Sequence, residues 1–144
     1  MVSVGSTPTA SHAQRLDGVP EVRAGVYMFN DLFQAEVHSC ERRDIALTVL
    51  ASVIGRRPDE NRILLDAGAL ALSKDRSTQS TTHDAGYGIV WDLAAQPAYG
   101  ECRVERAYQE HGVATSDRPL PFDQLPIGTK VRVAPGEMGD IRDA

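Results

Sequence analysis

Short runs of β-type residues, each bounded by glycine, proline or a polar stretch, dominate the chain after residue 40. The alternation of Val131 and Val133 with the charged Lys130 and Arg132 is typical of a strand with one buried face. The polar segment over residues 73–82 is predicted to be a loop. The predicted strands cover residues 45–54, 62–72, 87–93, 103–108, 112–115 and 130–133. Short strands that follow one another between turn signals predict a small antiparallel barrel or sandwich.

The first forty residues have a different pattern, in which strand-like and helix-like segments alternate. The predicted elements are strand 2–4, helix 10–16, strand 19–29 and helix 31–37. Thr9 or Ser11 is a suitable N-cap for the first helix, and Asn30-Asp31 offers a turn or cap before the second. This alternation is typical of an α/β fold, and the change to the β pattern lies near residues 36–42.

Composition excludes several classes of protein. The 144 residues suffice for one ordinary domain, or for one domain and a fragment of another, and 42% of them are apolar. The net charge of -5 argues against a general nucleic-acid binder, which needs a basic face. We find neither a membrane span nor a signal peptide in the sequence. We therefore expect a cytoplasmic protein in which Cys40 and Cys102 are reduced thiols.

The segment Gly5-Ser6-Thr7-Pro8-Thr9 lies between the first predicted strand and the first predicted helix. Such a junction suits a phosphate group, because glycine permits close approach and the free amides at a helix start point at the ligand. The same residues are compatible with an ordinary helix cap and a tight turn. They are not a P-loop, because the Gly-Lys-Ser/Thr ending is absent.

A second glycine, Gly25, comes late in the next predicted strand. If this strand ends beside a phosphate, the amides of Gly25 and Val26 can donate to it, and Arg23 can add positive charge or face an aromatic ring nitrogen. Without a ligand, Gly25 marks a strand bulge and Arg23 is an ordinary surface side chain. The residues alone leave both interpretations open.

Other titratable residues give weaker signals. Asp66 interrupts an apolar run, so we expect its carboxylate to accept hydrogen bonds from the backbone or from a nearby loop. Lys74 is interpreted as a solvated loop lysine rather than a Schiff-base lysine, because its surroundings in the sequence are polar. The neighbours Glu110 and His111 suggest acid–base work or metal binding, but they would point to opposite faces of a strand. The spacing of histidines and cysteines predicts no metal site.

Taken in order, five parts of the chain resemble the C-terminal part of the D-threonine aldolase and D-serine dehydratase family. They are residues 4–9, 21–31, 65–69 with 72–75, 109–112, and 125–128 with 131–133. Members of this family are fold-type III pyridoxal phosphate enzymes, in which an α/β barrel of the TIM type precedes a β domain. The resemblance implies a mainly β fold. Residues 39–135 would form the β-barrel or sandwich domain, and residues 1–38 the last strand–helix units of the α/β barrel.

The resemblance also implies a cofactor site. Catalytic groups of α/β barrels lie at the C-terminal ends of the strands, which places residues 5–7 at the phosphate of pyridoxal phosphate. The amides of Gly25 and Val26 would donate to the same phosphate. Arg23 matches a position that faces the pyridine nitrogen in the related alanine racemases. Residues 5–7, Arg23, Gly25 and Val26 are therefore the predicted cofactor-binding residues.

Two features depart from the family pattern. The Schiff-base lysine of the family lies far upstream, in early barrel strands, and Lys74 does not match it. The metal motif of the family, Pro-x-His-x-Cys or Pro-x-His-x-Asp, follows the last predicted strand. Here Pro135 is followed by Gly-Glu-Met-Gly over residues 136–139, so the ligands for Mn²⁺ or Zn²⁺ are absent. We interpret residues 136–144 as an aberrant tail.

The resemblance implies the C-terminal fragment of a pyridoxal phosphate- and metal-dependent D-amino-acid lyase. Such an enzyme acts on a D-amino acid by retro-aldol cleavage or dehydration and forms a homodimer. The cofactor serves as an electron sink, and the metal polarises the β-hydroxyl of the substrate. We expect no catalysis by this chain alone. The alternatives are a non-catalytic β interaction module, a degenerate dimerisation subunit, or part of an intact racemase-like protein.

Overall fold

A closed barrel of six antiparallel strands is the main feature of a computed structural model that describes residues 2–138. In chain order the strands are β1 (Ser3–Gly5), β2 (Glu21–Arg23), β3 (Val49–Arg57), β4 (Arg62–Leu65), β5 (Gly88–Trp91), β6 (Arg103–Ala107), β7 (Gly112–Thr115) and β8 (Lys130–Pro135). The order around the barrel is β3-β4-β7-β6-β5-β8, and β8 pairs with β3 to close it. The predicted mainly β fold with a small barrel is confirmed.

Side chains that alternate along the strands fill the barrel interior. Ala51 of β3 is opposite Val131 of β8, and both are almost fully buried, as are Val53 and Val133. Leu50, which directly precedes Ala51, points outward and is 64% exposed. The same core contains Ile63, Leu65, Val90, Cys102, Val104 and Ala114. The period of two that predicted the strands is therefore the period of burial in the barrel.

Two β-bulges bend the barrel wall. The register shifts between Val53 and Gly55 on β3, and between Val104 and Arg106 on β6. A bulge bends its strand and increases the local twist, which helps short strands to close. The sequence predicted that the first of these strands would end at Ile54, just before Gly55. Instead, the bulge lets β3 continue to Arg57.

The N-terminal segment contains a parallel pair of strands and two short helices, α1 (Thr7–His12) and α2 (Leu32–Glu36). The sequence predicted the first helix over residues 10–16, which is wrong. Ser6, not Thr9 or Ser11, caps α1, and proline is well tolerated in the first turn that follows. The predicted second helix is confirmed, with Asp31 as its N-cap. No helix within residues 2–138 is long and apolar enough to cross a membrane.

An apolar cluster attaches the N-terminal segment to the outside of the barrel. Its members are Leu32, Ile45, Ala85, Ile89, Trp91 and Ala134. Ile89 and Trp91 belong to β5, which is consequently buried on both of its faces. The cluster joins residues on either side of position 38. The division of the chain into 1–38, 39–135 and 136–144 stays a prediction.

The predicted strand over residues 62–72 divides at Gly68 into β4 and a short helix, α3 (Ala69–Leu72). A Cβ atom at Gly68 would lie 2.3 Å from the Tyr108 carbonyl oxygen and 2.5 Å from the His111 amide nitrogen. Only glycine fits here, because the chain at this position passes directly over the backbone of the β6–β7 hairpin. Just before it, Asp66 Oδ1 accepts a hydrogen bond from the Ser52 amide at 2.6 Å. The expectation that the backbone satisfies this carboxylate is confirmed.

Cys40 and Cys102 are both free thiols. Cys102 is fully buried in the barrel core, and this burial raises its pKa to about 12. Cys40 is half-buried, and its pKa is raised by burial and then by the negative charges of Asp44 and Asp31. Because the thiolate is the reactive form, neither cysteine is activated as a nucleophile.

Candidate cofactor phosphate site

The C-terminal ends of β1 and β2 lie side by side. Gly5 is opposite Arg23 in the parallel pair, and the Ser6 amide donates to the Arg23 carbonyl oxygen at 3.1 Å. The two segments that the sequence singled out for phosphate binding therefore follow neighbouring strand ends. Ligands of α/β folds bind at this edge of a parallel sheet. The structure brings residues 5–7 together with the stretch that leads to Gly25.

Ser6 already has protein partners for its polar groups. Its Oγ accepts a hydrogen bond from the Thr9 amide at 3.2 Å and donates to Thr9 Oγ1 at 2.8 Å. Its amide donates to Arg23, as described above. The helix-cap interpretation accounts for the side chain of Ser6, so this residue has little capacity left for a ligand.

Thr7, by contrast, has unused hydrogen-bonding capacity. Its side chain is 3% exposed, and its Oγ1 has no hydrogen-bond partner among residues 2–138. A buried hydroxyl without a partner is unfavourable, and an oxygen atom of a ligand would satisfy it. Thr7 is also the first residue of α1, where the amide has no acceptor within the helix.

Gly25 and Val26 present further free amides. Neither amide donates a hydrogen bond to another part of the described chain. Gly25 lies two residues beyond β2 and precedes a 3-10 turn over Val26–Met28, so it does not mark a strand bulge. Its φ of -94° suits any residue, and nothing lies within 4 Å of a Cβ atom built there. The space beside this glycine is open to a ligand.

Arg23 lies at the same edge with its side chain turned to an acidic neighbour. Its side chain is 70% exposed, and its guanidinium contacts Glu21 Oε2 at 3.0 Å. This contact, followed by a hydrogen bond from the Ser3 side chain, lowers the pKa of Glu21. The role of Arg23 toward a pyridine nitrogen stays a prediction.

The donor groups at this edge fit a phosphate ester. The amides of Thr7, Gly25 and Val26 and the Thr7 hydroxyl all follow the ends of β1 and β2. Neutral backbone donors of this kind bind phosphate in many proteins, because the dianion accepts several hydrogen bonds at once. The phosphate group of pyridoxal phosphate is therefore compatible with the residues present.

The segment after β8 does not fit a divalent metal ion. The positions of His and Cys in the family motif hold Glu137 and Gly139, the latter outside the described residues together with 140–144. The Glu137 carboxylate accepts a hydrogen bond from the Ser77 hydroxyl. Across residues 2–138, no three His, Cys, Asp or Glu side chains form a group that could hold a metal ion.

Two other candidate residues have structural explanations. Lys74 is exposed, which confirms its interpretation as a solvated loop lysine. His111 stacks on Tyr108 across the β6–β7 hairpin, with 4.7 Å between the ring centroids. Glu110 lies exposed at the tip of the same hairpin. The Glu110–His111 pair is thus part of a turn and not of a buried acid–base pair.

Sequence reasoning missed one buried polar contact. Asp31 is 1% exposed, and its Oδ1 accepts the Gln34 amide at 2.7 Å. Its Oδ2 accepts the Met138 amide at 2.9 Å. The cap could be anticipated from Asn30-Asp31 before a helix. The bond to Met138 joins residues that are 107 positions apart, and nothing in the local sequence indicates it.

The family comparison agrees with this fold. A family model described as "putative serine dehydratase domain" matches residues 46–137, which include all six barrel strands. D-threo-3-hydroxyaspartate dehydratase of Delftia sp. strain HT23 is 47% identical over 139 residues, which cover 94% of this chain and 36% of that enzyme. D-serine dehydratase of Dictyostelium discoideum is 34% identical, and the match covers 93% of this chain and 35% of that enzyme. The chain spans about a third of the length of these relatives.

Solved structures give the same result. The Delftia enzyme superposes with a TM-score of 0.87 at 44% identity, over 94% of this chain and 37% of that one. D-threonine aldolase from Filomicrobium marinum superposes with a TM-score of 0.62 at 21% identity, over 93% of this chain and 32% of that one, a likeness of fold alone. The matches lie in the C-terminal part of the longer proteins. The chain belongs to the serine dehydratase domain family.

Proposed function

We propose that the chain provides the C-terminal part of a pyridoxal phosphate-dependent D-amino-acid lyase of the dehydratase type. One observation carries this proposal: donors of Thr7, Gly25 and Val26 without a partner in the described chain follow the ends of two paired parallel strands. Relatives at 47% and 34% identity are dehydratases of D-threo-3-hydroxyaspartate and D-serine. These names favour dehydration over the retro-aldol reaction.

In this proposal the residues of the chain hold the phosphate and so orient the cofactor. Bound pyridoxal phosphate supplies an electron sink that stabilises negative charge at the substrate Cα. The amides of Gly25 and Val26 would donate to the phosphate from the end of β2, and Thr7 would donate from the end of β1. Hydrogen bonds to an anion are roughly twice as strong as those between neutral groups. Donors from two strand ends would hold the phosphate group from more than one side.

The family reaction also uses a divalent metal to polarise the β-hydroxyl of the substrate. We assign no metal-dependent step to this chain, because the segment after β8 offers Glu137 in place of the motif histidine. A D-amino-acid substrate and the homodimer of the family remain part of the proposal. They concern the whole lyase, of which this chain matches about a third.

A chimera tests the proposal. Residues 2–138 replace the matching stretch of the Delftia dehydratase, and the purified chimera is titrated with pyridoxal phosphate, followed by its visible absorbance. We expect saturable binding of one cofactor per chain. We call the donors of Thr7, Gly25 and Val26 the phosphate cradle. A chimera that is folded by circular dichroism but binds no pyridoxal phosphate would contradict this cradle.

The 144-residue chain is tested separately. Incubated with pyridoxal phosphate, Mn²⁺ or Zn²⁺, and D-serine or D-threo-3-hydroxyaspartate, it should release no ammonia above the background. The physical reason is that the phosphate cradle binds a cofactor without supplying the lysine that the resemblance places elsewhere. Turnover above background would show that these residues contain a complete catalytic site.

A second candidate function is a non-catalytic interaction module or dimerisation subunit. Exposed apolar side chains on and beside β3 favour it: Leu50 is 64% exposed, Ile54 47% and Ile127 67%. Apolar side chains that cluster on a surface often mark protein contacts. Light scattering of the 144-residue chain and of Leu50→Lys tests this candidate. A stable dimer that the substitution dissociates, in a protein without cofactor affinity, would favour it.

A further inference from the structure

Residues 136–138, called the strap here, follow β8 and are held by three backbone contacts. The Gly136 amide donates to the Tyr87 carbonyl oxygen at 3.2 Å, and the Phe33 amide donates to the Gly136 carbonyl oxygen at 3.1 Å. The Met138 amide donates to Asp31 Oδ2 at 2.9 Å. The strap thus lies between helix α2 and the residues that precede β5.

Space around the strap is limited. A Cβ atom at Gly136 would lie 2.8 Å from the carbonyl oxygen of Gly86, so the strap passes close to the backbone at that point. This distance is shorter than real Cβ contacts, and a larger residue would push the strap outward. The path of the strap is therefore fixed by packing as well as by hydrogen bonds.

The side chain of Glu137 also joins the strap to the loop before β5. Its carboxylate accepts a hydrogen bond from Ser77, which begins a 3-10 turn over Ser77–Ser80. The preceding Arg76 forms an ion pair with Asp84 and lies 5.5 Å from the centre of the Tyr87 ring. These contacts connect the residue before Ser77 to Asp84 and to Tyr87, next to β5.

We propose that Glu137 is a positioning residue that holds the strap through Ser77, where the family motif has a metal-ligating histidine. The alternative, a strap held by a bound divalent metal, rests on the proposed function. One carboxylate is a poor site by itself, since catalytic zinc sites use three protein ligands. The neighbouring Met138 thioether is soft and unsuited to Mn²⁺, and Gly139 has no side chain. The strap is consequently placed by hydrogen bonds and not by a metal.

Thermal unfolding of the 144-residue chain separates the two possibilities. A metal that binds the folded chain raises the unfolding midpoint, because binding stabilises the native state by mass action. We expect the same midpoint with EDTA, Mn²⁺ or Zn²⁺. A rise with either metal that disappears in Glu137→Gln would overturn the proposal, because it would identify Glu137 as a ligand.

Hydrogen exchange tests the role of the Glu137–Ser77 contact. We expect faster exchange of the Met138 amide in Glu137→Gln and in Ser77→Ala, and no further increase in the double variant. Glu110→Gln, at the exposed hairpin tip, is the matched control and should leave this amide unchanged. Effects of the two single variants that add in full, or no effect of either, would overturn the proposal. These readouts need no cofactor, so a failure of the phosphate cradle in the chimera would not affect them.

Discussion

Asp31 offers a quantitative test of how the N-terminal segment is joined to the barrel. The two oxygens of its carboxylate accept hydrogen bonds from different parts of the chain. Oδ1 caps helix α2 through the Gln34 amide, and Oδ2 accepts the Met138 amide from the strap. At 1% exposure, water cannot replace either acceptor. Asp31→Asn leaves one acceptor oxygen, whereas Asp31→Ala removes both.

The expected loss of stability follows from these contacts. A hydrogen bond to a charged group contributes about 1.5–3 kcal/mol, so Asp31→Asn should lower the free energy of unfolding by about 2 kcal/mol. Loss of an N-cap costs about 1 kcal/mol more, so Asp31→Ala should lower it by about 3 kcal/mol. Asp17→Asn alters an exposed ion pair with Arg15 and should change the free energy by less than about 0.5 kcal/mol.

Urea unfolding followed by tryptophan fluorescence measures these changes, since Trp91 lies in the cluster that joins the two parts. Hydrogen exchange of the Met138 amide gives a local readout in the same variants. We expect the order wild type, Asp31→Asn, Asp31→Ala in decreasing stability, with faster exchange at Met138 in both variants. If Asp31→Asn were as stable as Asp17→Asn, the reasoning about the buried carboxylate would be refuted.

Three further substitutions test the burial and packing of single residues. The Cys102 thiol stays protonated in the folded barrel up to a pKa of about 12, whereas the unfolded thiol ionises near 9.0. Stability relative to Cys102→Ala should therefore fall above pH 9, by about 1.4 kcal/mol between pH 7 and pH 10; a constant difference in urea unfolding would contradict this. Gly68→Ala should lower the free energy of unfolding by about 2 kcal/mol or more, because its Cβ would overlap the Tyr108 carbonyl. Gly25→Ala, with open space around it, should change it by less than about 0.5 kcal/mol, and equal effects of the two would count against the described packing.

Local patterns predicted the barrel strands, because successive side chains of a strand point to opposite faces and every second one is buried. The alternation at Val131 and Val133 is a property of neighbouring residues and is visible in the sequence. Closure of the barrel depends on pairs such as Ser52 with Lys130, which no local pattern specifies. The start of α1 was misplaced because three residues, Ser6, Thr9 and Ser11, are all good caps. The helix begins directly after Ser6, at Thr7, and this starting point shows which of the three residues is the cap.

The candidate site was predictable where glycine marks it and unpredictable where burial decides. Gly25 was identified as a glycine late in a predicted strand, and the structure shows open space at that position. The free hydroxyl of Thr7 depends on which groups surround it, and the sequence does not contain this information. The same holds for Asp31, whose partner Met138 is distant in the chain. Long-range contacts of this kind need the folded structure.

The phosphate cradle is tested most directly by a charge placed at Gly25 in the chimera with the Delftia dehydratase. Gly25→Asp and Gly25→Asn fill the same open space with side chains of nearly equal size, and only the first repels a phosphate. We predict that Gly25→Asp binds pyridoxal phosphate about tenfold more weakly than Gly25→Asn, which corresponds to about 1.4 kcal/mol. Equal dissociation constants for the two variants would contradict the placement of the phosphate beside Gly25.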